Sequence, residues 1–139
     1  MKQINFFLKI TTALCLLFVV SCTPEEETPD SADPRDKYVG TWSCAEKSQL
    51  YFDYSYQANI SKSTTNSTDI IIENFYNLGF QTSVVATLNG ASFEILQQTV
   101  SAQVISGSGS SSGSNVINFS YTADDLGGTP DNVTVKFTK

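Results

Sequence analysis

Apolar and polar residues alternate along most of the chain that follows Tyr38. Phe52, Tyr54, Tyr56, Ala58 and Ile60 alternate with Asp53, Ser55, Gln57 and Asn59. Ile117, Phe119 and Tyr121 alternate with polar residues in the same way, as do Val133, Val135 and Phe137. A period of two places successive side chains on opposite faces, so each run predicts a half-buried β-strand. β-Branched and aromatic residues are dense, and no interior run carries a helical period. The pattern predicts strands over 40–47, 51–62, 68–75, 80–88, 91–97, 100–106, 115–123 and 131–138.

Turn residues separate these runs. Asn89-Gly90 predicts a two-residue type I′ hairpin turn, which needs positive φ at both positions. Asp124-Asp125-Leu126-Gly127-Gly128 breaks the chain before the last strand. Ser106–Ser114, SGSGSSSGS, reads as a flexible loop or irregular strand connection. Short connections favour an all-β, antiparallel up-and-down meander of about eight strands. Closure into a small barrel would remove exposed edges, and a β-sandwich is the alternative.

The first 34 residues depart from this pattern. The first nine residues carry Lys2 and Lys9, and residues 10–20, ITTALCLLFVV, form an apolar run. A basic region and a short apolar run read as a secretory signal over 1–21, too short to span a bilayer. Residues 22–34 then hold Cys22, five acidic residues, no basic residue and three of the four prolines. Such a segment reads as an extended, solvated tether. Residues 35–139 form one domain, large enough for one modest core.

Charge narrows the partners. The chain carries 8 basic and 14 acidic residues. Loss of Lys2 and Lys9 leaves a net −8, of which −5 lies in the tether. With one arginine and no basic stripe, nucleic acid is excluded as a partner, and so is electrostatic docking on anionic lipid.

Catalytic and metal chemistry lack their usual parts. There is no histidine, so a Ser-His-Asp or Cys-His unit cannot be built, and zinc lacks ligands. Asp53, Asp69, Glu73 and Glu94 read as solvent-facing positions rather than as a glycosidase pair. Asp124, Asp125 and Asp131 read as turn formers, because their spacing does not match a calcium loop. Cys44 shares the parity of Trp42 and is expected in the core as an unreactive thiol. The chain therefore reads as a non-enzyme with no cofactor and no metal site.

Aromatic residues supply the remaining candidates. Tyr51, Tyr54, Tyr56, Phe75, Tyr76 and Phe80 are candidate ligand-binding residues, since exposed rings stack on sugars or pack on partners. The alternative is that Phe52, Tyr54 and Tyr56 are core and that Phe75 and Phe80 close a barrel end.

Val19-Val20-Ser21-Cys22 resembles a bacterial lipobox, which implies a lipidated Cys22 and a membrane anchor. A thioether at Cys22 would leave Cys44 without a disulfide partner. The acidic run behind it resembles the surface-export signal of Bacteroidetes-type lipoproteins. Asp30-Ser31-Ala32 resembles their short O-glycosylation sequon, at Ser31. Gly40-Thr41-Trp42 resembles the motif that opens lipocalin-like (calycin-like) barrels, where the tryptophan plugs one end. Asp33–Lys37 would be a short helical lead-in. Lipocalins commonly pack a late arginine on that tryptophan, and here only Lys136 and Lys139 are available. Nearly the whole chain resembles small outer-membrane lipoproteins with such a barrel.

The resemblance implies a monomeric domain, lipid-anchored at the outer membrane and facing outward, with a periplasm-facing orientation as the alternative. Its expected role is non-catalytic binding of a small apolar molecule or glycan at a barrel mouth. The alternative is a filled barrel that contacts another envelope or host protein.

Overall fold

The computed structural model describes residues Ala32–Lys139. The signal over 1–21, Cys22 and Ser31 lie outside them. Eight strands run in order: β1 (Gly40–Ser48), β2 (Tyr54–Lys62), β3 (Asp69–Glu73), β4 (Ser83–Asn89), β5 (Ser92–Val100), β6 (Gln103–Ser112), β7 (Val116–Asp124) and β8 (Asp131–Thr138). Each pairs antiparallel with its sequence neighbour, and β1 pairs with β8, with Cys44 opposite Phe137. The sheet is a closed up-and-down barrel, so the sandwich alternative is set aside.

The interior is filled by side chains at the inward parity. Trp42, Phe93, Phe119 and Phe137 are buried there with Ile60, Ile72, Ile105 and Val135. Full burial of each large apolar side chain stabilises by about 1.5–3 kcal/mol. Phe75 enters from the β3–β4 connection and packs on Tyr121, with ring centroids 4.6 Å apart. Cys44 is a buried free thiol, pushed up to about 12 by burial.

Several expected boundaries move, three of them with a clear local cause. The stretch SGSGSSSGS is strand for most of its length, since β6 runs to Ser112 and the turn falls at 113–115. Gly109 stands opposite Phe119, and Gly107 opposite Tyr121. A Cβ at Gly109 would lie 2.4 Å from Phe119 Cδ1, and one at Gly107 would lie 2.4 Å from Tyr121 Cβ. The glycines leave room that the neighbouring aromatics occupy, a cross-strand rescue of glycine.

The break expected between 97 and 100 falls instead at Ser101-Ala102, where φ is 49° and 64°. That hairpin has the positive φ pair of a type I′ turn, with no glycine, asparagine or aspartate to signal it. At the β4–β5 hairpin, Asn89 pairs with Ser92 and only Gly90 of the connection has positive φ (63°). This matches a type II′ turn rather than the expected I′.

The strand expected from residue 51 begins at Tyr54, because Ser48 Oγ accepts from the Leu50 and Tyr51 N–H groups and holds a turn. Phe52, expected on the inward face of β2, is 84% exposed.

The two ends of the barrel differ. At one end the chain enters through a 3₁₀ turn, Asp36–Tyr38. Gly40 (φ 121°) turns it into β1, and Trp42 Nε1 donates to Tyr38 O at 2.7 Å. Arg35 closes this end: its Nη1 donates to the carbonyls of Ser63, Asn66 and Asp69. Its Nε and Nη2 grip Asp33 at 3.0 and 2.7 Å. Asp33, assigned by composition to the tether, is therefore tied to the domain. The opposite end carries the β1–β2, β3–β4, β5–β6 and β7–β8 connections and is open.

Candidate functional site

The inward parity of β1 continues past Trp42 and Cys44 to Glu46, an acid only 2% exposed. Tyr56 of β2 donates its hydroxyl to Glu46 Oε2 at 2.8 Å, and Tyr121 of β7 donates to the same oxygen at 2.6 Å. No hydrogen bond reaches Oε1 among the described residues. No buried side-chain oxygen or nitrogen there is wholly enclosed without a partner, so Oε1 keeps an opening. Burial raises the Glu46 carboxyl above its ordinary range, and the two tyrosine bonds oppose that shift. The hydroxyls of Tyr56 and Tyr121 are raised as well, chiefly by burial, with Glu46 adding to both shifts.

A second buried acid, Asp131, opens β8 at the parity of Val133 and Val135 and is 2% exposed. Its Oδ2 accepts from Ser48 Oγ at 2.7 Å and from Tyr76 Oη at 2.9 Å. Its Oδ1 accepts from the backbone N–H groups of Gln49 and Leu50 at 3.0 and 3.1 Å. Asp131 thereby fixes the β1–β2 loop and Tyr76 against the rim. The Tyr76 hydroxyl is raised above its ordinary range, by burial first and by Asp131 second. Neither acid forms an ion pair with lysine or arginine among the described residues.

The β3–β4 connection is backbone-strained. Asn74, Tyr76 and Asn77 have φ of 58°, 54° and 53°, a region costly for a residue as bulky as tyrosine. Asn74 holds the bend, donating from Nδ2 to Gln57 O at 2.7 Å and accepting from Gly79 N at 2.6 Å. The bend sends Phe75 down into the core and Tyr76 to the rim.

Between these groups lies an open-end cavity of about 330 Å³, lined by Glu46, Ser48, Tyr51, Tyr54, Tyr76, Asn77 and Gln103. Larger hollows of about 460 and 650 Å³ lie on the outer wall of β6, β7, β8 and β1. They are lined mainly by serine, threonine, asparagine and lysine, and neither buried acid borders them.

Of the sequence candidates, Tyr51, Tyr54 and Tyr76 meet at the cavity. Tyr56 lies beneath it as a partner of Glu46. Phe75 is core, 1% exposed, and Phe80 is 52% exposed in the β3–β4 connection, outside the cavity lining. Asp69 accepts from Thr87, and Glu73 accepts from Asn59. Asp124 and Asp125 cap their own turn, accepting from the Leu126 and Gly127 N–H groups. Composition passed over Glu46 as a site residue and took Asp131 for a turn former. Their signal was an acid at the inward parity of a strand.

No protein-family model and no curated protein sequence matches the chain. Solved structures match the fold. A redesigned β-barrel superposes with a TM-score of 0.55 at 12% identity, over 77% of this chain and 95% of that one. The redesigned barrel mFAP1, bound to DFHBI, gives 0.54 at 10% identity, over 78% and 100%. EF1p2_mFAP2b, bound to DFHBI, gives 0.54 at 9%, over 77% and 97%. Each is an architectural likeness.

Proposed function

We propose that this protein is a non-catalytic binding module, lipid-anchored through Cys22 at the outer membrane and facing outward, that takes a small ligand at the open end of its barrel. The carrying observation is the cavity of about 330 Å³ in which three tyrosines surround a buried carboxylate. A few polar groups converging among aromatic walls is the usual composition of a ligand site. The filled interior excludes a deep pocket, so the ligand sits at the rim. Two of the similar designed barrels hold a bound small molecule, DFHBI, which accords with this use of the architecture.

Thermal-shift screening of the full chain against fatty acids, haem, glycans and small amines tests the site. A hit whose shift vanishes in Tyr51→Ala and Tyr54→Ala supports it. Hits indifferent to both variants overturn it. Anchoring is tested by labelling with a palmitate analogue: incorporation should disappear in Cys22→Ala. Outward orientation is tested with protease added to intact cells, which should remove the protein.

A second reading, contact with an envelope or host protein, draws on the exposed apolar side chains at the same end. Phe52, Phe80 and Leu126 are 84%, 52% and 77% exposed on three different connections. Single rings scattered on a surface are ordinary, but grouped apolar exposure marks contact surfaces. A Phe52→Ser, Leu126→Ser double variant that loses a cross-linked partner while retaining the small-molecule hit would favour this reading.

A further inference from the structure

We propose that the open-end cavity selects a small organic ammonium ion, its N–H group donating to Glu46 Oε1 and its carbon body lying among the rings of Tyr51, Tyr54 and Tyr76. This deepens the ligand-site reading above and rests on it.

Four observations converge on a cation. First, Glu46 and Asp131 are both about 2% exposed, and no lysine or arginine pairs with either among the described residues. A buried carboxylate without a counter-charge is costly, and an arriving cation removes that cost. Second, the unoccupied hydrogen-bonding capacity is an acceptor. Oε2 takes both tyrosine hydroxyls, while Oε1 takes none and keeps an opening.

Third, the donors nearest the acids are already spent. Tyr56 and Tyr121 donate to Glu46, and Tyr76 and Ser48 donate to Asp131. A carboxylate or phosphate ligand would meet the Glu46 carboxylate, with no lysine or arginine among the lining residues. Fourth, the walls are tyrosine rings, whose faces attract ammonium groups within about 6 Å. A volume near 330 Å³ suits a molecule of small size.

The ionised form of Glu46 is the one that pairs with the ligand. The titratable groups that face it are Tyr56 of β2, Tyr121 of β7, Asp131 of β8 and Cys44 of its own strand, with Tyr76 above. Each of these is neutral or negative in the folded state, so none supplies the missing positive charge.

Calorimetric titration of the full chain with phenethylammonium, beside 2-phenylethanol as its neutral counterpart, tests the inference. The expected result is binding of the ammonium ion at least about tenfold tighter than the alcohol. Glu46→Gln, which keeps the shape and the oxygen acceptor but removes the charge, should abolish that preference. Tyr54→Ala, at an exposed strand end, should weaken the ammonium ion without unfolding the barrel. Equal binding of both probes, with both lost in Tyr54→Ala, overturns the cation selectivity and keeps the open-end site. A preference that survives in Glu46→Gln, or no binding of the ammonium ion at all, overturns the selectivity as well. Binding untouched by both Tyr51→Ala and Tyr54→Ala overturns the site itself.

Discussion

Tyr76 Oη donates to Asp131 Oδ2 across 2.9 Å, joining the strained β3–β4 connection to the first residue of β8. The same carboxylate holds Ser48, Gln49 and Leu50. One acid therefore positions two walls of the cavity. Hydrogen bonds to a charged group contribute about 1.5–3 kcal/mol each, and a network loses more than one when its centre goes. Asp131→Ala should cost about 3 kcal/mol of unfolding free energy in urea. Tyr76→Phe should cost less, about 1–2 kcal/mol, because the backbone donors keep their acceptor. Equal losses in the two variants would show that Asp131 does not act as the hub.

Gly107 and Gly109 predict a second outcome. Neither has a positive φ, so the cost of a side chain there is steric. A Cβ at Gly107 would sit 2.4 Å from Ser120 O, and one at Gly109 2.4 Å from the Phe119 ring. Overpacking of a filled core costs about 1–3 kcal/mol or more. Gly107→Ala and Gly109→Ala should each lower stability by at least about 2 kcal/mol, measured by chemical denaturation. Ser108→Ala, on the outward face between them, should stay within about 0.5 kcal/mol of the parent.

These glycines also show why part of the fold was hard to read. The parity of β1, β7 and β8 was plain, since Trp42, Phe119, Tyr121, Val133 and Val135 carry it themselves. In β6 the inward positions are Ile105, Gly107 and Gly109, and their strand character comes from rings on β7. No local composition rule sees across to a neighbouring strand. The Ser101-Ala102 turn was hidden for the converse reason: its residues tolerate positive φ poorly and were placed there by the strands on either side. Glu46 and Asp131 followed the inward parity, yet acids are so seldom buried that their charge outweighed their position. The cavity tyrosines were visible as aromatics. Which of them would be core depended on where β2 began, and Ser48 and Asp131 set that boundary by binding the preceding loop.

At the closed end, Lys139 Nζ lies 5.2 Å from the Trp42 ring and donates to the carbonyls of Val39 and Lys37 at 2.7 and 3.2 Å. Of the two late lysines that the sequence offered for this place, Lys136 and Lys139, it is Lys139 that supplies the cation over the tryptophan. A cation over an indole face contributes about 0.5–1 kcal/mol at an exposed site. Lys139→Met, which keeps an apolar stem, should cost about 1 kcal/mol, and Lys139→Arg should cost less. Thermal melts together with Trp42 fluorescence would check this. An unchanged melting temperature in Lys139→Met would remove the interaction from the account of this end.

Glu46 makes stability depend on pH in a direction opposite to most buried ion pairs. Its folded-state value lies above the ordinary 4.5, chiefly through burial. The folded form therefore holds its proton more tightly than the unfolded chain does, and unfolding releases it. Its contribution to stability is fully present below the ordinary value and is lost as pH rises through the raised one. Glu46→Gln carries no charge at any pH, so it should melt higher than the parent on the alkaline side, with the difference shrinking as the pH is lowered toward 4.5. Phenethylammonium should stabilise the parent most on that same alkaline side, where its charge offsets the buried carboxylate. Melts of both proteins from acid to neutral pH, with and without the amine, provide the measurement. A constant difference between parent and Glu46→Gln across that range would show that the carboxyl does not titrate anomalously in the fold.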